Sequence, residues 1–335
     1  MKHILNLTAG VLSALLLLTA CGTSGQSRET ESEMSSAEET SGMEETTAAV
    51  NETDTVTEAS TEESTEELTE NEPVTEEPTE SELSETTGEE AVFMPQYVSL
   101  GDSIANGYGL GNEKSYTTLL AEALGYSDVL SECVDGQTSS DLLAAIGAST
   151  ANYEGARLVT VSTGANNILG PAMPALLMLM VAPEIGVSTI QSPSFDAMLR
   201  DGITRLRTDL PKIVSALREK NGDMEIVLLS VYNPFRGVKV PLSAADGTVT
   251  EFDLGSMTDD YIRELNLQIT ETAEDMGCTL ADVYTAFEES GEQNVNVTVD
   301  QNGHIAGSYD PHPNAAGHRL IAEVIEQVCG KGPNG

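Results

Sequence analysis

From residue 93 onward the apolar positions fall into two rhythms. Five short runs are mainly apolar or β-branched: Tyr97–Gly101, Val129–Val134, Leu158–Ser162, Glu225–Val231 and Cys278–Val283. Their length and composition predict buried strands. Between them lie stretches of helical period. Ser115–Leu124 is closed by Gly125, a second stretch continues from Asp141, and longer ones cover Ile203–Glu219, Thr258–Met276 and Asn314–Val328. In the last, Leu320, Ile321, Val324, Ile325 and Val328 recur on one face, the pattern of a helix laid on a sheet. Strands alternating with helices predict a parallel sheet covered on both faces, and right-handed crossovers leave few strand orders. The expected fold is α/β: a three-layer α/β/α sandwich with a five-stranded, parallel, doubly wound, flavodoxin-like sheet.

The first 92 residues follow neither rhythm. Residues 1–20 carry Lys2 and His3 and then an apolar run centred on Leu15–Leu18, too short to span a bilayer comfortably and placed as in a signal peptide. Leu18-Thr19-Ala20-Cys21 resembles the lipobox of bacterial lipoproteins. That resemblance implies cleavage before Cys21, diacylglycerol on its thiol and an extracytoplasmic protein anchored to the cell membrane by lipid. The plainer alternative is an ordinary secretory peptide followed by a chance cysteine. Residues 21–92 are rich in Thr, Ser and Glu, with 23 acidic residues against the single basic Arg28. Such a segment cannot bury enough apolar surface to offset its chain entropy, so the composition predicts a disordered, self-repelling tether. As a neutral coil it would reach about 45 Å, and its charge extends it further.

Residues 93–335 suit one domain. They hold 32 acidic and 13 basic residues, a net charge of −19. That excess argues against a nucleic-acid partner and against direct adsorption to anionic lipid. Cys133, Cys278 and Cys329 allow at most one disulfide, lack metal-ligand spacing and read as small buried hydrophobes. No P-loop or His-rich ligand spacing is present, so neither a metal nor a nucleotide cofactor is expected.

Three of the predicted strands run into polar turns: Gly101-Asp102-Ser103, then Asp135-Gly136-Gln137-Thr138-Ser139, then Gly164-Ala165-Asn166-Asn167. In a parallel sheet these turns share the carboxyl edge, where open α/β sheets bind ligands. Each turn alone reads equally well as a helix cap or a tight turn. A fourth block, Asp310-Pro311-His312-Pro313-Asn314, precedes the last helix, where it too could be no more than a helix start. In this order and spacing the four blocks resemble the SGNH, or GDSL, hydrolase family over about residues 95–330. The resemblance implies Ser103 as nucleophile and His312 as general base, with Asp310 orienting the imidazole. It also implies an oxyanion hole formed by the Ser103 and Gly136 backbone N–H groups and the Asn166 side-chain amide. A serine hydroxyl attacks only when a base takes its proton, and the alkoxide that forms needs fixed donors.

Two positions depart from the family pattern. The acid usually stands three residues before the histidine, where this chain has Tyr309, while Asp310 stands two before. In extended backbone residues two apart share a face, which leaves Asp310 a route to the ring. The other arrangement is a Ser103–His312 dyad with a backbone carbonyl on the imidazole. Asn167 stands where the family's third block commonly has Asp, which alters the support of Asn166 rather than the donor. His304 and His318 belong to no block and read as surface or helix-face residues. Residues 168–200 form an insertion with the Met-rich run Ala172–Val181, readable as a lid, an acyl-chain pocket or a buried helix. Arg236–Ser256 form a second insertion near the same edge.

The function so implied is a membrane-tethered serine hydrolase of carboxylic esters, an esterase or lipase acting through an acyl-Ser103 intermediate on a small-molecule or lipid ester. A carbohydrate O-deacetylase is the alternative within the family. The chain has no Trp and 4% aromatic residues, which disfavours an extended sugar platform. A catalytically silent surface binding module is the alternative outside it.

Overall fold

The structure is a computed structural model that describes residues 93–330; the leader, Cys21 and the acidic segment lie outside the described residues. Five strands form one parallel sheet: β1 (Tyr97–Gly101), β2 (Val129–Cys133), β3 (Leu158–Ser162), β4 (Glu225–Leu229) and β7 (Thr279–Ala281), in the order β2-β1-β3-β4-β7. This is the doubly wound, flavodoxin-like order, with its switch point between β1 and β3. β1 and β3 are buried at every position, which explains why they hold only apolar, small or hydroxyl side chains.

The register decides where the site falls. Gly101 pairs with Cys133 on one side and Ser162 on the other, so three strands end level. A Cβ on Gly101 would stand 2.4 Å from the Ser162 carbonyl oxygen, and its φ is +155°. Only glycine lets the two strands approach this closely at the row from which the turns depart.

The helices begin where side chains cap them. Asp102 caps the short α1 (Ser103–Asn106), Ser115 caps α2 (Tyr116–Leu124), and Thr138 with Asp141 forms a capping box on α3 (Ser139–Ala148). Gly125 ends α2 in the left-handed conformation, at the position the sequence marked as its stop. The long helices extend beyond their sequence-based limits. α6 (Pro193–Lys220) begins at the Ser192 cap with Pro193 in its first turn, and α7 (Leu254–Met276) begins at the Asp253 cap. One face of α6 buries Phe195, Leu199, Ile203, Leu206, Leu210, Ile213 and Leu217 against the sheet, each worth about 1.5–3 kcal/mol. α9 (Ala315–Val328) buries Ile321 and Ile325 on the opposite layer, against a second core with Tyr97, Leu158 and Val227.

Several sequence readings need correction. The 168–200 stretch is helical, one of the readings its sequence left open, in α4 (Ala165–Val181), α5 (Pro183–Ile190) and the start of α6, with breaks at Ala182 and at Gln191 and Ser192. The fifth strand is only Thr279–Ala281, because Asp282 caps α8 (Val283–Glu289) and turns Val283 into a helix. The second insertion holds an antiparallel hairpin, β5 (Lys239–Ser243) with β6 (Val249–Asp253). Its polar outer face hid the alternation. Cys133, Cys278 and Cys329 are half-buried and unpaired, and burial raises all three thiols. His318 lies on the inner face of α9 and is fully buried, against the surface reading. Its ring stacks on Tyr116, its Nδ1 accepts the Tyr116 N–H at 3.1 Å, and burial lowers its pKa to about 4.

Candidate active site

β1 delivers Ser103 one residue past the Asp102 cap, where the residue is 8% exposed. The His312 loop returns from the far side of the sheet. It is held as a narrow hairpin: Asn296 N–H donates to the His312 carbonyl at 2.9 Å, Asn314 N–H donates to Asn294 at 3.0 Å, and Val295 bridges Pro313. The Tyr232 hydroxyl at the end of β4 donates to the Pro311 carbonyl at 2.9 Å and ties that loop to the sheet edge.

The loop brings the imidazole to the serine. His312 Nε2 lies 2.9 Å from Ser103 Oγ, and His312 Nδ1 lies 2.5 Å from Asp310 Oδ1. Of the two arrangements left open by the shortened spacing, the structure has the carboxylate on the ring. Asp310 Oδ1 also accepts the His312 backbone N–H at 3.1 Å, which folds the two-residue spacing into a tight turn. The other oxygen, Oδ2, accepts from Asn296 Nδ2 at 3.1 Å. Burial raises the Asp310 carboxyl, but its bonds to His312 and Asn296 outweigh this and hold it below its ordinary value. Tyr108 packs on the imidazole, with ring centroids 4.8 Å apart.

The remaining turns converge on the same place. Asn166 Nδ2 donates to Asp102 Oδ2 at 3.2 Å and to the Gln137 carbonyl at 3.3 Å. Asp102 adjoins Ser103 and Gln137 adjoins Gly136, so this amide bridges the turns that carry both. Gly136 sits at φ +77° in a turn closed by the Gln137 N–H on the Val134 carbonyl. Asp102 itself is 1% exposed. Burial raises its carboxyl to about 6, against the opposing pull of the Ile104 N–H and of His312. Asn167 does not support Asn166 as the motif suggested. Its side chain accepts the Ser139 N–H at 2.9 Å and donates to Ser139 Oγ and the Gly202 carbonyl, binding the start of α3 to α4 and α6. His304 lies apart, 3.0 Å from Glu251 on β6.

Sequence reasoning passed over Asn296, Tyr108 and Tyr232, which belong to no motif block. Only alternation in Asn294-Val295-Asn296 hinted at extended backbone near the histidine.

The model of the GDSL-like lipase/acylhydrolase family matches residues 99–320. The chain belongs to that family. Like other GDSL-like hydrolases it has solved structural relatives of the same fold. One is the lipase Lip_vut3 from a goat rumen metagenome, with TM-score 0.51 and 17% identity over 72% of this chain and 99% of that one. Another is an extracellular lipase from Streptomyces rimosus, with TM-score 0.51 and 20% identity over 70% and 99%. A third is a phospholipase A1 from Streptomyces albidoflavus NA297, with TM-score 0.50 and 22% identity over 70% and 100%. In sequence the chain is similar to the uncharacterized protein YpmR of Bacillus subtilis (strain 168), at 24% identity over 70% of this chain and 80% of that one.

Proposed function

We propose that this GDSL-like hydrolase cleaves carboxylic esters through an acyl-Ser103 intermediate. The observation that carries the reading is the continuous chain Ser103 Oγ–His312 Nε2 at 2.9 Å and His312 Nδ1–Asp310 Oδ1 at 2.5 Å. In this reading His312 takes the hydroxyl proton as Ser103 Oγ adds to the ester carbonyl. Asp310 stabilises the imidazolium that results. The Ser103 and Gly136 N–H groups and the Asn166 amide receive the developing alkoxide, each donor worth on the order of 3–4 kcal/mol of barrier. His312 then gives its proton to the leaving alcohol, and a water activated by the same nitrogen releases the acid.

The setting belongs to the same proposal. The lipobox-like Cys21 would anchor the chain outside the cytoplasm, and the acidic segment would be the long tether between that anchor and the hydrolase. A lipid or other acyl ester suits the apolar α4 next to the site better than an extended glycan.

The test uses p-nitrophenyl acetate, butyrate and decanoate with the wild type and Ser103→Ala. Hydrolysis should fall by about 10³-fold or more in the variant. Preference for acetate alone would point to the deacetylase. Equal rates for the two proteins on every ester would overturn the proposal.

A further inference from the structure

Of the two helices that leave the catalytic edge, α4 has an outer face as apolar as its inner one, and α5 exposes Ile185 along with Glu184, Ser188 and Thr189. On α4 and α5 the residues Ala172, Ala175, Leu176, Leu179, Val187 and Ile190 are buried in the core. On the opposite side of α4 Pro171, Pro174, Met178 and Val181 are all exposed, at alternating spacings of three and four. Met178 is 40%, Val181 65% and Ile185 59% exposed. The α4 stripe ends at Val181: Ala182 leaves the helical conformation (φ −145°, ψ 76°), and α5 packs back on α4 so closely that a Cβ on Gly186 would stand 2.6 Å from the Leu179 nitrogen. On α4 the stripe covers the eleven residues Pro171–Val181, about 15 Å of helix.

Its surroundings indicate what would cover it. Residues 165–192 hold one charged side chain, Glu184, in a chain that is 21% charged. The arm starts at Asn166, and midway the Leu176 carbonyl receives the Tyr309 hydroxyl at 3.5 Å, one residue before Asp310. α4 therefore starts at the site and carries its exposed apolar side chains away from it. A second copy is a poor cover, since each domain brings a net charge of −19 to the contact. Among the described residues no helix is long and apolar enough to cross a membrane, so a lipid surface would be met from one side.

We infer that the outer stripe of α4, Pro171 to Val181, together with Ile185 of α5, docks the hydrolase on an uncharged lipid surface and so presents it to aggregated lipid esters. The substrate half of this inference rests on the esterase reading; the docking half does not. The stripe would seat its apolar side chains at the headgroup boundary. The acidic remainder of the domain would keep the contact to the arm. A tether of 71 residues after Cys21 leaves the domain free to reach the bilayer.

The experiment compares the full chain carrying Cys21→Ala with the same chain also carrying Val181→Glu and Ile185→Glu. Any contribution of the leader is then common to both. Flotation with phosphatidylcholine vesicles should fall roughly fivefold or more in the arm variant. Hydrolysis of soluble p-nitrophenyl butyrate should stay within about twofold, because both side chains are exposed and outside the triad. Hydrolysis of an emulsified long-chain ester should fall with the flotation. A second pair, Val181→Ser and Ile185→Ser, repeats the measurement should the glutamates disturb folding. Equal flotation of all forms would overturn the inference. So would a concentration-dependent dimer, seen by analytical ultracentrifugation and lost in the arm variant, since that would make the stripe an interface between copies. Absence of all esterase activity would overturn the esterase reading and leave the flotation result to stand or fall alone.

Discussion

Replacing Asp102 by Asn tests the electrostatics beneath the nucleophile. Asp102 is buried with its carboxyl raised from 3.8 to about 6, chiefly by desolvation. Between those values the native state holds a proton that the unfolded chain has released. Stability from this group is therefore present below pH 4 and lost as pH rises through 6. A shift of about two units corresponds to about 3 kcal/mol. The wild-type curve conceals this, because His318 does the reverse. Burial lowers its pKa from 6.5 to about 4, so its contribution is present above pH 6.5 and lost as pH falls through 4. Two opposed slopes over one window nearly cancel. The difference between the wild type and Asp102→Asn removes the His318 term and isolates Asp102. Urea unfolding from pH 4 to 7.5 should show the variant gaining about 3 kcal/mol on the wild type across the range, whatever the offset at pH 4. Activity should fall in the same variant, because an amide at position 102 opposes the Asn166 amide that now donates to it. A stability difference that stays flat from pH 4 to 7.5 would refute the reasoning.

Asn166→Ala removes the side-chain donor of the proposed oxyanion hole and should lower kcat by about 10²–10³ with little change in KM, measured on p-nitrophenyl butyrate. Asn296→Ala frees one oxygen of Asp310 while leaving the ester site untouched; kcat should fall about tenfold at constant KM, and Asn296→Ser should recover part of the loss. Gly202→Ala places a Cβ 2.1 Å from the Asn167 carbonyl oxygen, where α6 touches α4 backbone to backbone. It should destabilise the domain by about 2–3 kcal/mol in urea unfolding.

The sheet was legible because its central strands are buried on both sides. Leu158–Ser162 is apolar or small at every position, and its ends match the structure at both residues. Gly125 and Ser115 marked α2 through caps, which act within one turn of chain. What escaped depended on distant partners. The β5–β6 hairpin is half-exposed and held by its own pairing and by contacts to the 303–304 turn, so no strong periodicity records it. Thr279–Ala281 is short because Asp282 prefers to cap α8, a competition that apolar character does not reveal. In the site, Ser103, Gly136 and Asn166 were readable because they stand in turns after strands of equal register, and His312 because its block immediately precedes the capped last helix. The Asp310 geometry was not, since it depends on Asn296 and Tyr232, fourteen and seventy-eight residues away. His318 misled for a related reason: only tertiary packing on Tyr116 makes a histidine on α9 a core residue.

Ser103 as an activated nucleophile is the centre of the proposed chemistry, and covalent labelling measures it most directly. Incubating the protein with a fluorophosphonate and mapping the adduct by mass spectrometry reads the nucleophile without needing the natural substrate. One adduct is expected, on Ser103, abolished by Ser103→Ala and slowed by about 10²-fold or more in His312→Ala. Labelling at another residue, or a rate unchanged in His312→Ala, would contradict it.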